Sequence, residues 1–442
     1  MQDQIDSLVW QAVFAESEAE RAAARLQIWQ QAQDKGVLAS SIHQLYAARG
    51  QGKVPSNFTV PAMNLRGMTY DMARAIFAAA VKLKVGALIF ELARSEMQYT
   101  DQAPAVYAPV IMAAAIKEGW SGPLFIQCDH FQAKAASPGV AKEGELDAIK
   151  ALIGEALSTG MYNVDIDMST LVNLDAPTEA DQQVANIKHT LELTEFVRRL
   201  EPAGMTVSLG CEIGHIGGRN STMADFEAFM SGYTAGLNGL TGVSKMSIQT
   251  GTSHGGVVNA DGSLASVAVD FDLLRNVSRA GRDNYGMGGS VQHGASTLPH
   301  DLYHKFPEAE TLEIHFATGL QNMIMDHKAF PAELLNEIYN WIDTTMSDDR
   351  GSEQTLEQFH YTQRKKAWGA FKKQTWSIPE ANREELRNML QSHFETVFGE
   401  LGVSDTMELV RSNVSAMRQT KNALDFTTKA KVKAETVAGL AD

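Results

Sequence analysis

From residue 58 onward, short apolar and β-branched runs alternate with longer segments whose apolar positions recur at helical spacing. The runs are Phe58–Met63, Val85–Glu91, Pro123–Cys128, Tyr162–Asp167, Met205–Cys211, Lys245–Thr250, Gly288–Gln292 and Leu312–Ala317. Segments such as Met68–Lys84 and Gly144–Thr159 read as helices between them. This alternation predicts βα units and a parallel sheet. Eight units between residues 58 and 325 are what a closed (β/α)8 TIM barrel requires. An open doubly wound sheet would place a glycine fingerprint after its first strand, and Asn64-Leu65-Arg66-Gly67 is not one.

The flanks carry a different texture. Asp6–Ala32 is rich in Ala, Glu, Gln and Arg, and Gly50-Gln51-Gly52 and Pro55 punctuate the end of this region. Residues 1–57 therefore read as an N-terminal helical extension used for packing or oligomerisation. Beyond the barrel, Ala332–Asp343, Thr355–Lys373 and Asn382–Leu401 read as amphipathic helices of a C-terminal extension, residues 326–442. Its last stretch, Lys421–Asp442, is Ala/Lys/Thr-rich and expected to fray.

Composition narrows the function classes. With 44% apolar and 21% charged residues, the 442-residue chain has ordinary globular usage. A net charge of −15 disfavours nucleic acid and anionic membrane as partners. Apolar segments stop well short of the ~18 residues a membrane helix needs, and Met1-Gln2-Asp3-Gln4 opens no secretory signal. A cytoplasmic enzyme is therefore expected. Cys128 and Cys211 fall on the third and fifth runs, ~9–10 Å apart at usual strand spacing. A disulfide needs Cα atoms within ~7 Å, so both are expected to be packing residues. Arg364–Trp376 is the one basic, aromatic stretch, read as a helix with buried aromatics or as a cover that meets a distal anion.

Chemistry-bearing residues gather where this fold carries its active sites, the carboxyl ends of the strands. Asp129 and His130 follow the third run, Asp165 and Asp167 close the fourth, and Glu212 closes the fifth. His254 and His293 follow the sixth and seventh, and His315 lies on the eighth. Imidazoles and carboxylates converging without cysteine suit a divalent ion, most simply Zn2+, on His130, His254 and His293. The carboxylates would orient those ligands or hold a second cation. Gly255-Gly256 and Gly294-Ala295-Ser296 follow two of the histidines, where small residues let backbone amides approach a phosphate.

In this order the motifs Phe58–Asn64, Gln127–His130, Asp165–Ser169, Glu212–Gly218, Gly251–Gly255 and His293–Ser296 resemble the class II, metal-dependent fructose-bisphosphate and tagatose-bisphosphate aldolases. The resemblance implies metal ligands at His130, His254 and His293, a catalytic acid/base at Asp129, and a second or monovalent cation near Asp167 and Glu212. It also implies substrate contact by Asn64, a phosphate loop at Gly255, Gly294 and Ser296, further substrate contacts at His315 and Thr318, and a homo-oligomeric enzyme of carbohydrate metabolism such as glycolysis. The chain departs from the family pattern at Gln127, where a histidine is usual, at Ala93-Arg94-Ser95, at Arg219-Asn220, and at His315 and Gly319, where asparagine and aspartate are usual. The leading expectation is a lyase acting on a phosphorylated ketose. Metal-dependent epimerisation of a ketose or ketohexuronate, or a non-catalytic aldolase-like subunit, is the alternative. A Schiff-base mechanism would need a lysine, and Lys245 on the sixth run is the one candidate.

Overall fold

The computed structural model describes residues 2–214, 219–252, 256, 259 and 268–429. Its strands are β1 (Val37–Ser40), β2 (Val60–Asn64), β3 (Ile89–Ala93), β4 (Gly122–Gln132), β5 (Ala135–Ser137), β6 (Val140–Ala141), β7 (Asn163–Asp167), β8 (Ser208–Glu212), β9 (Lys245–Ser247), β10 (Gly289–Gln292) and β11 (Glu313–Phe316). β2, β3, β4, β7, β8, β9, β10 and β11 pair in parallel around a ring, and β11 meets β2 to close it. Each of the eight expected runs contains or overlaps one of these strands, and helices such as Thr69–Lys82 and Glu145–Ser158 lie between them. The expected (β/α)8 barrel is the fold.

Strand alternation explains how one sequence serves both faces. Successive side chains point to opposite sides of a strand. Phe90, Leu92, Ile126, Val164, Ile166, Leu209 and Ile314 are buried in the hydrophobic core. Their alternate neighbours Glu91, Gln127, Asp129, Asp165, Asp167 and Glu313 are also buried but face the barrel interior, where Gln127 donates to Glu91 and Glu313 and Lys245 donates to Asp165. Gly210 is required by this crowding: a Cβ there would stand 2.3 Å from Asp165 Oδ1 and 2.8 Å from Lys245 Cε.

The N-terminal extension is only partly the helical piece expected. Helices Gln2–Phe14 and Glu18–Asp34 are separated by Ala15-Glu16-Ser17, and Ser17 and Glu20 form a capping box that starts the second helix. β1 then joins the sheet, pairing with the first half of β4 while β7 pairs with the second half. β4 offers this because its eleven residues outrun the four or five of its neighbours. Asn163 seals the junction, accepting from Ile42 N at 2.8 Å and donating to Ile126 O at 3.0 Å.

The C-terminal extension wraps back over the barrel. Helix Glu380–Glu400 packs on Thr69–Lys82, where Asp71 pairs with Arg383 and Arg387. The basic aromatic stretch is not one helix. It breaks into Arg364–Lys366, Ala367–Ala370 and Lys372–Trp376, with Trp368 and Trp376 buried. Trp368 lies against Gly67, whose absent Cβ would stand 1.9 Å from the indole, and donates to Gln321 Oε1 at 3.0 Å. Arg364 is bound to Asp326 and Asn322, which commits its charge to structure. Residues 421–429 do not fray: Ala423–Phe426 docks on the second helix, and Arg25 donates to Phe426 O at 2.8 Å. Residues 430–442 lie outside the described residues. Cys128 and Cys211 are buried free thiols, as expected.

Truncating Trp368 removes the anchor between the loop after β2 and the C-terminal strap. Trp368→Ala should cost roughly 3–5 kcal/mol in urea unfolding. A loss below about 1 kcal/mol would show that the strap contributes little to the fold.

Candidate metal centre and phosphate loop

Consecutive residues of a regular strand point to opposite faces, so Asp129 and His130 should not both enter the barrel. A bulge resolves this. The register of β4 against β7 shifts between Cys128 and Phe131, and His130 takes a left-handed conformation with φ of 39°. Asp129 Oδ1 and His130 Nε2 then lie 3.9 Å apart. Left-handed backbone is costly for a β-carbon residue and is held only by its surroundings.

Those surroundings aim His130. Its Nδ1 meets Asp167 Oδ2 at 2.9 Å and Glu212 Oε2 at 3.2 Å, while its Nε2 meets His293 Nδ1 at 3.0 Å. Asp167 is itself fixed by Gln132 Nε2 at 2.6 Å and Ser169 N at 2.9 Å. His293 is held through Nε2 by Ser247 Oγ at 3.1 Å. Each imidazole thus has one nitrogen on a neighbour and the other turned to a shared point. Two nitrogens bound tetrahedrally at ~2.0–2.1 Å would lie about 3.3 Å apart, close to the separation observed. His130, Glu212 and His293 offer donor atoms within 4.8 Å of one another, and Glu212 Oε1 has no hydrogen-bond partner. These residues fit a divalent ion. His254 and Gly255 lie outside the described residues.

Beneath this pair lies a buried charge network. Lys245 Nζ donates to Gln127 Oε1 at 2.7 Å and to Glu313 Oε1 at 2.5 Å, and pairs with Asp165 at 3.0 Å. Gln127 donates to Glu91 at 2.8 Å, so its amide bridges groups of opposite charge. His315 stands here, bonded through Nε2 to Glu313 at 2.7 Å, with its ring 4.1 Å from that of His293. It adjoins the candidate metal centre through His293. Lys245 is encased by these carboxylates, which outweigh its burial and hold its ammonium well protonated.

The electrostatics follow from burial and sign. Burial, then Asp129, push Glu91 up to about 8. Burial, then Asp167, do the same to Glu212, also about 8. Asp165 rises to about 6 through burial, against the pull of Lys245. Burial would raise Asp129 as well, but His130, His315 and the Asn64 amide hold it well below the usual carboxylate range. Asn64 Nδ2 donates to Asp129 Oδ2 at 3.0 Å and to Glu96 Oε2 at 2.8 Å. His130 is pushed well up, despite burial, by Asp129 and Glu212.

Gly294, Ser296 and Thr318 come together after β10 and β11. Gly294, at φ of 70°, opens the turn Ala295–Thr297. Ser296 Oγ accepts from Ala317 N at 3.2 Å and Gly319 N at 3.0 Å. Gly319 is demanded by this approach, since a Cβ would meet Ser296 O at 2.0 Å. Arg66, not singled out by its sequence pattern, donates to Thr318 Oγ1 at 3.0 Å and to Glu96 Oε1 at 2.7 Å. Its one signal is its place two residues after Asn64, at a strand end. Arg94, by contrast, is turned away into a pair with Glu145 at 2.6 Å.

Gly319→Ala should lower stability by roughly 1–3 kcal/mol, because backbone must move to admit the methyl group. An unchanged unfolding midpoint would mean that the Ser296 turn is not held as described.

Among the described residues no helix is long and apolar enough to cross a membrane. No curated protein matches the chain. Solved structures match it in fold. A fructose-bisphosphate aldolase from Campylobacter jejuni is 15% identical, with 84% of this chain and 98% of that one covered at a TM-score of 0.50. A protein from Sinorhizobium meliloti titled "probable tagatose 6 phosphate kinase" is 13% identical, with 79% and 100% covered at 0.54. The profile of the family "Fructose-bisphosphate aldolase class-II" matches residues 51–398, well over half of the sequence, and the chain belongs to that family.

Proposed function

We propose that this protein is a divalent-metal-dependent lyase that reversibly cleaves a phosphorylated ketose, of the fructose- or tagatose-bisphosphate kind, by retro-aldol chemistry. The observation that carries the reading is the pair of imidazoles, His130 and His293, aimed at one point beside the buried carboxylate of Asp129. His130 and His293 would hold the ion with Glu212 beside them, and by resemblance His254 completes the set. The bound cation supplies Lewis-acid stabilisation of the charge left on the ketone fragment. Zn2+ suits this donor set.

The remaining work falls to the chain. Asp129, held ionised, accepts the proton of the C4 hydroxyl whose loss starts cleavage, and Asn64 keeps that carboxylate turned into the site. Gly294, Ser296 and Thr318, with Arg66 behind them, receive the phosphate. Burial of Asp129 and both histidines keeps water from competing. The reading includes a cytoplasmic homo-oligomer.

His315 favours a second reading, epimerisation, because it sets another acid/base 3.2 Å from Asp129. One series separates the two. Purified protein incubated with fructose- and tagatose-bisphosphates should release triose phosphate, and a chelator should abolish the release. Epimer without triose phosphate would replace cleavage by epimerisation, and no turnover of any ketose would favour a non-catalytic subunit. Asp129→Asn should lower kcat by about 10²–10⁴-fold. Near-native kcat in that variant would remove Asp129 from the role of base.

A further inference from the structure

We infer that the barrel interior holds a second cation site, formed by Glu91, Asp129, Asp165 and His315 and suited to a divalent ion such as Mn2+ or Zn2+. It shares no residue with the set of His130, Glu212 and His293, and it lies at the other carboxylate cluster, beneath that set. The inference goes beyond the aldolase reading and does not depend on it, and it shares Asp129 with that reading, so an ion here competes with the proton for that carboxylate.

The four side chains offer donor atoms that all lie within 4.8 Å of one another, and all four are buried. Each is anchored at one atom. Glu91 Oε2 accepts from Gln127, Asp129 Oδ2 from Asn64, Asp165 Oδ2 from Lys245, and His315 Nε2 bonds Glu313. The opposite atom of each lacks a hydrogen-bond partner: Glu91 Oε1, Asp129 Oδ1, Asp165 Oδ1 and His315 Nδ1. His315 Nδ1 stands 3.0 Å from Glu91 Oε1 and 3.2 Å from Asp129 Oδ1, ion pairs that a bound cation would replace. Lys245 Nζ likewise pairs with Asp165 Oδ1 at 3.0 Å.

Charge points the same way. The carboxyl groups of Glu91, Asp129, Asp165 and Glu313 gather here around the ammonium of Lys245 and the imidazole of His315. Carboxylates crowded at such depth repel one another, and a divalent ion offsets that repulsion. Three carboxylate oxygens and one imidazole nitrogen, without thiolate, suit Mn2+ or Zn2+.

The test counts ions on the full chain. Metal-free protein titrated with Mn2+, with bound metal measured after dialysis, should saturate at two ions per chain. Glu91→Gln and Asp165→Asn, which keep side-chain shape, should each saturate at one, with the circular dichroism of the metal-free chains confirming folding. Saturation of the wild type at one ion, or two ions retained by both variants, overturns the inference. Should the variants fail to fold, the wild-type spectrum decides. The two sites adjoin, so saturated protein should give the broadened electron paramagnetic resonance signal of a coupled Mn2+ pair, and an isolated six-line signal overturns the proposal. Two ions in a chain that cleaves no ketose would leave this inference standing and remove the aldolase reading.

Discussion

A barrel interior lined with carboxylates must be electrically matched, and that requirement shapes most of what surrounds the site. Glu91, Asp129, Asp165, Asp167, Glu212 and Glu313 are all buried, and Lys245, His130 and His315 are the groups that face them. Isolated charges at such depth would neutralise themselves by shifting their pKa, as Glu91 and Glu212 do. Asp129 does not, because two imidazoles and an amide face it. The same requirement explains Gln127, an amide with a donor for Glu91 and an acceptor for Lys245. It also explains Gly210, the gap through which Asp165 and Lys245 meet.

The second constraint is geometric. Asp129 and His130 are adjacent in sequence, and only a bulge in β4 lets both face inward. β4 absorbs that irregularity because it is long enough to pair with β1 below the bulge and with β7 around it. The N-terminal extension is in this sense part of the site's support. The C-terminal extension supports it from the other end, through Trp368 on Gly67 in the loop after Asn64.

The barrel was legible because the runs are short, β-branched and separated by helix-patterned segments, and because polar residues recur at their carboxyl ends. His130, His293, Asp167 and Glu212 were found by that logic, and the structure brings them together. What was not legible came from long-range pairing. Val37–Ser40 is too short for a pattern and becomes a strand only because β4 has an open edge. Lys421–Phe426 has the composition of a loose tail, yet Phe426 and the Asn422 cap dock it. Glu91 sits mid-strand and Glu313 opens β11, and both read as parts of apolar runs until the period-two alternation is assigned to an inside and an outside. Arg66 reaches Thr318 across 252 positions, which no local pattern encodes. His315 takes the family's substrate position in sequence, and its contacts with His293 and Glu313 come from the folded barrel.

The central claim is that His130 and His293 share one ion beside Asp129. Anomalous diffraction at the zinc edge from crystals grown with Zn2+ tests it most directly. The expected result is a peak about 2.0–2.1 Å from one nitrogen of each imidazole. A peak bound elsewhere, with His130 Nε2 and His293 Nδ1 still bonded only to each other, would contradict it.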